Sequence, residues 1–419
     1  HHRQPRMAGI KIYRAIRDLI RDPQSLINYV ENYLLGIAGL TYTTREVTNN
    51  ATRLVAYGDD GSAELSINHE VRIKGRGRMR DLLNALVLRY LGTDGMRRIT
   101  ILMIQRGNRV YRVSDLPRSF TLPIGLMGLM LISIIALSMV IAVLRVVNAI
   151  PSIHLIIALL LSPLLIPLIY SYILQLRVRR GDLRGSRIIK FVLEYGDFEE
   201  DRFNEALRLL SRIERTRSIG EVRRFLLSLI NDARVRPRSF REEEIDVDSL
   251  IGRLGVNYGI YLVNANQCNA ASIGLPGINY IILTSRLVSC LSTDELTAVI
   301  MHEVGHIIHG DSAKTLFLIS LAQLVNTALI TYVIPLISLP AIPILMAAIL
   351  LEVFGIVSVM RLSEYSADRY ALRFVSRRSL AMALVRVTWR ELHSELVSRR
   401  LGVFASHPSV SSRLVKILR

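Results

Sequence analysis

Met301-His302-Glu303-Val304-Gly305-His306-Ile307 is the stretch from which the rest of the chain is read. It contains the pattern H-E-x-x-H. On a helix, residues four apart lie one turn apart on one face. The imidazoles of His302 and His306 therefore point the same way and can grip one metal ion. Glu303, beside the first histidine, can reach a water on that ion. Two imidazoles plus a carboxylate suit zinc, which brings the pKa of its water down towards ~7. The flanks read as a helix. Ser292-Thr293-Asp294-Glu295 has the form of a capping box. Leu296, Val299, Ile300, Val304, Ile307 and Ile308 give an apolar face, and Gly310 can end it.

Two histidines leave a catalytic zinc one protein ligand short. His309 and Asp311 are close in sequence, but three ligands from one straight helix cannot surround an ion. Glu364, in Ser363-Glu364-Tyr365-Ser366-Ala367-Asp368, is the stronger candidate. Residues 315–360 contain no Lys or Arg and one acid, Glu352. That length accommodates two membrane spans with a turn around Pro335 to Pro343. A hairpin leaves and re-enters the same membrane face, so Glu364, just beyond it, is returned to the histidine pair. Asp368, one helical turn further, is placed to orient a ligating histidine.

The 419-residue chain is 51% hydrophobic with a net charge of +18, long enough for two or three domains. Only five lysines are present, so arginine carries nearly all the positive charge. Cys268 and Cys290 are too few for a disulfide framework and match no metal spacing, which points to a reducing compartment. No secretory leader is expected, and His1 to Arg6 ahead of Met7 read as added residues.

The expected fold class is α+β: a multi-pass membrane protein with four transmembrane helices, a cytoplasmic gluzincin-like zinc protease domain and an extra N-terminal α+β domain. Residues 1–118 are expected as a basic cytoplasmic domain. It holds 20 Lys plus Arg against 11 Asp plus Glu, a balance of +9. Such a domain beside a bilayer faces anionic headgroups, and no nucleic-acid motif is present. Within it, 11–35 reads as helix interrupted near Pro23, Leu65 to Ile73 as strand, Asp81 to Leu91 as helix, and Arg98 to Val113 as a hairpin turning at Gly107-Asn108. Residues 119–176 are expected as a first transmembrane hairpin. Residues 177–314 form a cytoplasmic catalytic region carrying the motif helix. There, Phe198 to Ile213 and Glu221 to Leu229 read as amphipathic helices, and Gly259 to Val263 and Tyr280 to Thr284 as strands. Residues 315–361 form the second hairpin and 362–419 a C-terminal catalytic region. Arg177, Arg179, Arg180, Arg184 and Arg187 follow the second span, while Arg145 is the one basic residue in the outer loops. The soluble segments are therefore expected on the cytoplasmic side of the cell (inner or plasma) membrane.

The chain resembles the HtpX-like membrane zinc metalloproteases, which are related to the CAAX prenyl endopeptidases. The matching pieces are Asn269-Ala270 to Gly274, Ile282-Leu283-Thr284, Asp294-Glu295-Leu296 to Asp311, Glu364 to Asp368, and Phe404-Ala405-Ser406-His407-Pro408 followed by Arg413. The resemblance implies His302, His306 and Glu364 as ligands of Zn2+, with Glu303 as general base. It implies Asn269, Ala270 and Gly274 within an edge strand that pairs with extended substrate, Gly274 permitting close backbone approach. It also brings His407 and Arg413 near the site, in transition-state stabilisation or substrate anchoring. The segments 8–118 and 196–236 depart from the family core.

The expected function is a membrane-embedded zinc endopeptidase that cleaves misfolded or damaged membrane proteins at the cytoplasmic face. Its partners would be unfolded or membrane-protein substrates and the lipid bilayer. A prenyl-protein processing peptidase shares this chemistry, but that branch uses more spans around a chamber. A catalytically silent membrane scaffold or sensor is the third reading, and it has no need of an intact Glu303.

Overall fold

The structure is a computed structural model. It describes residues 16–118 except 36–39, 49–50, 59–60, 69 and 76, residue 165, residues 168–329 except 254–257, and residues 341–398 and 407–419. The expected first hairpin, 119–176, falls almost wholly outside the described residues.

The mixed α+β character is borne out. Helix α1 (Pro23–Leu35) begins at the proline that interrupts the N-terminal helical pattern. Strands β1 (Leu40–Thr48), β2 (Ala51–Gly58), β3 (Gly61–Ile67) and β4 (Val71–Gly75) form an antiparallel meander in sequence order. Its buried Leu54, Ala56, Leu65, Ile67 and Val71 are covered by α1 and by α2 (Gly77–Thr93). The hairpin β5 (Met96–Arg106) and β6 (Arg109–Arg112) turns at Gly107, whose φ of 55° suits glycine.

β5 does not stay with the meander. It pairs along its whole length with β7 (Ser186–Gly196), giving a second sheet in the order β6-β5-β7-β8, where β8 is Ser239–Asp246. The boundary expected at 118 therefore runs through the middle of a sheet. The amphipathic helices α3 (Glu200–Leu210) and α4 (Ile219–Asn231) bury Ala206, Leu210, Val222, Leu226 and Leu229 against Phe191, Leu193 and Tyr195 of β7. One buried apolar cluster then runs from Ile16 in the N-terminal region to Ile417 near the chain end.

The third sheet positions the site. β9 (Gly259–Val263) and β11 (Ile278–Thr284) pair in parallel, and β10 (Ala270–Leu275) pairs antiparallel with β11. The order β10-β11-β9 leaves β10 at an edge. Two helices follow: α5 (Ser285–Cys290) and the motif helix α6 (Thr293–Ile308). Gly310, at φ 64°, breaks the path and starts α7 (Asp311–Ala328) in a new direction. α8 (Ala341–Ala371) is one continuous helix, and α9 (Arg377–Ser398) and α10 (Val410–Ile417) complete the chain.

Among the described residues, one helix, Met346–Ala371, is long and apolar enough to cross a membrane. Leu350, Leu351 and Phe354 stand exposed on it, and Phe317, Leu321 and Leu324 stand exposed on α7. This is contiguous apolar surface of the kind that water-facing proteins avoid.

Candidate metal centre

The motif helix is fixed at its start by the expected capping box. Glu295 N–H donates to Ser292 Oγ, and Ser292 N–H donates to Glu295 Oε2 at 3.0 Å. Arg386 of α9 reaches Glu295 at 3.3 Å, and the buried Lys190 of β7 donates to the carbonyl of Leu291. Helix α6 is thus held at its head by two other elements and buries His302 and Glu303 along its length.

Two glycines set the distances. A Cβ on Gly305 would lie 3.0 Å from Ala367 Cα and 3.2 Å from Tyr370 Cβ. The absence of a side chain lets α6 and α8 touch backbone to backbone, one residue before His306. A Cβ on Gly274 would lie 3.0 Å from Ile307 Cα. The close backbone approach expected at Gly274 is therefore met by the motif helix itself.

This contact brings Glu364 onto the histidine pair. Glu364 Oε2 stands 3.4 Å from His302 Nε2, and Oε1 stands 3.8 Å from His306 Nε2. The two Nε2 atoms are 3.2 Å apart. Two nitrogens at ~2.0–2.1 Å from one tetrahedral zinc are separated by ~3.3 Å. One ligand atom from each of His302, His306 and Glu364 lies within 4.8 Å of the other two. The donor set and its spacing fit zinc, with the fourth position left to water or substrate.

Each histidine is oriented from behind. His302 Nδ1 stands 3.0 Å from Asp368 Oδ1, and His306 Nδ1 stands 2.8 Å from Asp311 Oδ2. Both imidazoles therefore turn Nε2 towards Glu364. Asp368 stands within ion-pair reach of His302 Nδ1. Asp311, weighed only as a ligand from the sequence, is the partner of the second histidine. His309 lies apart, its ring edge-on to Tyr370 at 5.9 Å.

The electrostatics favour a cation. Burial disfavours charge on His302, but Asp368 and Glu364 outweigh it and raise the imidazole to about 10. Burial likewise opposes ionisation of Glu364, yet His302, His407 and Arg413 hold its carboxyl well below the usual range. Asp368 is lowered in the same way by His302 and Arg413, against its burial. The two carboxylates thus favour positive charge at this position.

Arg413 and His407 both reach the site. Arg413 grips Asp368 through Nε at 2.9 Å and Nη2 at 2.6 Å, and Nη1 stands 2.9 Å from Glu364 Oε2. Its guanidinium is buried and faces the two acids of α8. His407 Nδ1 stands 2.7 Å from Glu364 Oε1, with its side chain exposed. α10 is pinned to α8 by the Tyr365–Ser412 hydroxyl pair at 2.8 Å and by Lys416 over the Tyr365 ring. The structure thus gives Arg413 a positioning role on two buried carboxylates, where the family resemblance implied transition-state stabilisation or substrate anchoring.

Glu303 is turned to the sheet. Ser272 Oγ donates to Glu303 Oε2 at 2.6 Å. Ser272 sits in β10, within the stretch Asn269 to Gly274. The Gly274 N–H donates outward to Ser312 Oγ at 3.3 Å. By antiparallel alternation, the main-chain groups of Ala270 and Ser272 point to the same free edge. Asn269 stands just before the strand, its N–H donating to Thr284 Oγ1 at 3.1 Å.

Residues 246–419 match the family described as Peptidase family M48. A stretch of 58 residues is 45% identical to proteins described as "Protease HtpX homolog" from Helicobacter acinonychis (strain Sheeba) and Helicobacter pylori (strain J99). It covers 14% of this chain and 19% of each relative, so the chain spans about a fifth of the curated relatives it matches. The crystal structure of S. mikatae Ste24p aligns with a TM-score of 0.31 and 21% identity, over 41% of this chain and 48% of that one.

Proposed function

We propose that this chain, whose residues 246–419 match Peptidase family M48, is a membrane-embedded zinc endopeptidase that cleaves misfolded or damaged membrane proteins at the cytoplasmic face. The observation that carries this reading is the convergence of His302, His306 and Glu364, with Glu303 adjacent on the same helix.

Zinc, when bound there, is a Lewis acid that lowers the pKa of its water and polarises a carbonyl. Glu303 takes the proton from the attacking water and delivers it to the leaving amine. Ser272 holds the Glu303 carboxylate in place until water and substrate arrive. Asp368 and Asp311 keep both imidazoles in the ligating orientation. Arg413 balances the charge of Glu364 and Asp368, so the site tolerates three acids in one buried volume.

The free edge of β10 supports recognition of extended chain. An unfolded segment laid along Ala270 to Ser272 gains main-chain hydrogen bonds that accept many sequences. The exposed apolar faces of α7 and α8 support contact with lipid, since a bilayer covers such surface at no cost. α8 runs unbroken from its apolar part to Glu364, which supports a cleavage site close to the membrane face. Thirteen residues separate Glu364 from Leu351, about 20 Å of helix. The cluster of arginines at 177–187 supports a cytoplasmic position for that face.

The test is proteolysis of an unfolded model substrate, free and membrane-anchored, by the purified protein and its Glu303→Ala variant. The wild type should cleave, the anchored form faster, and the variant should be at least ~10²-fold slower, the low end of general-base contributions. Undiminished cleavage by Glu303→Ala would remove the mechanism, and equal rates on the two substrates would remove the membrane preference.

A further inference from the structure

The two cysteines lie 22 positions apart in sequence, yet Cys268 Sγ and Cys290 Sγ meet at 2.7 Å. Both are free thiols and both are partly accessible. Cys268 lies two residues ahead of β10, and Cys290 ends α5, two residues ahead of the Ser292 cap of the motif helix. The pair therefore stands at the base of the segment that carries both the free edge strand and the residue holding Glu303. We propose that Cys268 and Cys290 form a dithiol modification site, closed reversibly into a disulfide by small disulfide oxidants, that clamps β10 to the head of the motif helix.

Three observations carry this. The first is contact: two thiols already within bonding approach need little backbone movement to close. The second is access. Cys268 is itself partly exposed, so a small disulfide can reach its sulfur, and Cys290 lines a cavity of about 380 Å³ between the N-terminal region and the catalytic region, with Tyr90, Lys190, Ser292 and Arg378 among its walls. A small reagent can enter there.

The third is asymmetry. A hydrogen bond from Cys290 and the charge of Arg286 favour the thiolate of Cys268, against burial, and bring it down to about 7. Cys290 is pushed up by Cys268 and by burial. Cys268 is then the attacking sulfur and Cys290 the resolving one. The Cys268 thiolate attacks one sulfur of the small disulfide, forming a mixed disulfide and releasing one small thiolate, which takes up a proton. Cys290 gives its proton to solvent and attacks Cys268 Sγ, breaking the mixed disulfide and releasing the second small thiolate. In sum, one protein dithiol and one small disulfide become one protein disulfide and two small thiols. The same exchange run backwards by excess small thiol reopens it, as a reducing compartment requires.

The consequence lies at the sheet edge. Asn269 is already tied to Thr284 by paired hydrogen bonds. A covalent link one residue before it fixes the mouth of β10, where a pairing substrate strand must enter.

This role for β10 rests on the peptidase reading, so the test reads the thiols first. Full-length protein in detergent is titrated with oxidised glutathione and then with excess reduced glutathione, followed by intact mass and non-reducing peptide mapping. The expected result is loss of two hydrogens, a Cys268–Cys290 peptide, and full reversal. Cys290→Ser should stop at the glutathione adduct on Cys268. Cys268→Ser should react at least ten-fold more slowly. Hydrogen exchange across 264–292 should slow in the oxidised form. Adducts at both cysteines without a cross-link would overturn the site. A cross-link that leaves exchange of β10 unchanged would overturn the clamp. Neither outcome depends on peptidase activity.

Discussion

Arg413→Met separates two roles for the C-terminal arginine. Methionine keeps most of the length and the apolar stem, but removes the charge and all five donors. In the structure those donors meet Asp368 at 2.9 and 2.6 Å and Glu364 at 2.9 Å. The carboxylates are only 8% and 6% exposed as side chains, for Glu364 and Asp368, so water cannot replace the guanidinium. Removing one partner of a buried ion pair costs about 3–5 kcal/mol. At ~2–4 °C per kcal/mol, the metal-free protein should melt on the order of 10 °C lower.

The pH dependence has a definite sign. Glu364 and Asp368 are depressed below their ordinary values of 4.5 and 3.8, in part by Arg413. Their contribution to stability is present above those values and is lost as pH falls through the depressed ones. With Arg413 gone the depression shrinks, so acid unfolding should begin at higher pH. The assay is thermal unfolding of metal-free protein in detergent from pH 3 to 8, beside peptidase KM and kcat of the zinc-loaded protein. An unchanged melting temperature and acid limb, with a raised KM alone, would refute the positioning role and make Arg413 a substrate anchor.

Other perturbations follow from the same geometry. Asp311→Asn weakens the hold on His306 Nδ1 and should weaken zinc binding about 10–100-fold, read by competition with a chelator; unchanged affinity would make Asp311 incidental. Ser272→Ala frees the Glu303 carboxylate and should lower kcat several-fold at unchanged zinc content, whereas a change in zinc content would mean that Ser272 supports the fold of the site. His302, raised to about 10 from 6.5, contributes stability below pH 6.5 that the metal-free protein loses as pH rises through about 10. Zinc must displace that proton, so its apparent affinity should climb with pH across the neutral range; a flat profile would contradict the pairing of His302 with Asp368.

Much of the site was legible because helical spacing is local. H-E-x-x-H fixes two imidazoles on one face, and the apolar stretch 315–360, expected as a hairpin, pointed to the return of Glu364 to them. Asp368 followed from its i+4 position. Gly305 was not singled out, because a small residue between two histidines carries no local signal until α8 is known to press on it. Asp311 was weighed only as a ligand, since the turn at Gly310 that swings it back to His306 is a backbone event. Arg413 was tied to transition-state stabilisation or substrate anchoring by motif likeness, and only the fold shows Glu364 and Asp368 buried beside it.

The helices expected at Asp81 to Leu91, Phe198 to Ile213 and Glu221 to Leu229 and the hairpin at Gly107 follow periodicity and turn chemistry, whereas Leu65 to Ile73, expected as one strand, is the paired β3 and β4. β7 does not follow such periodicity, because Ile188 to Tyr195 is buried on both faces and Lys190 interrupts the run. That lysine is buried against Glu243 of β8 at 3.1 Å. The pairing of β5 with β7 joins residues some ninety positions apart, which no local pattern encodes.

The central claim is that His302, His306 and Glu364 hold one zinc while Glu303 stands free of it as the base. Metal content per chain, measured by elemental analysis on wild type, Glu364→Gln and Glu303→Ala after identical chelator washing, addresses it directly. The account predicts one zinc in the wild type, a loss of most of it in Glu364→Gln, and full retention in inactive Glu303→Ala. Undiminished zinc in Glu364→Gln, or its loss from Glu303→Ala with the fold intact, would contradict it.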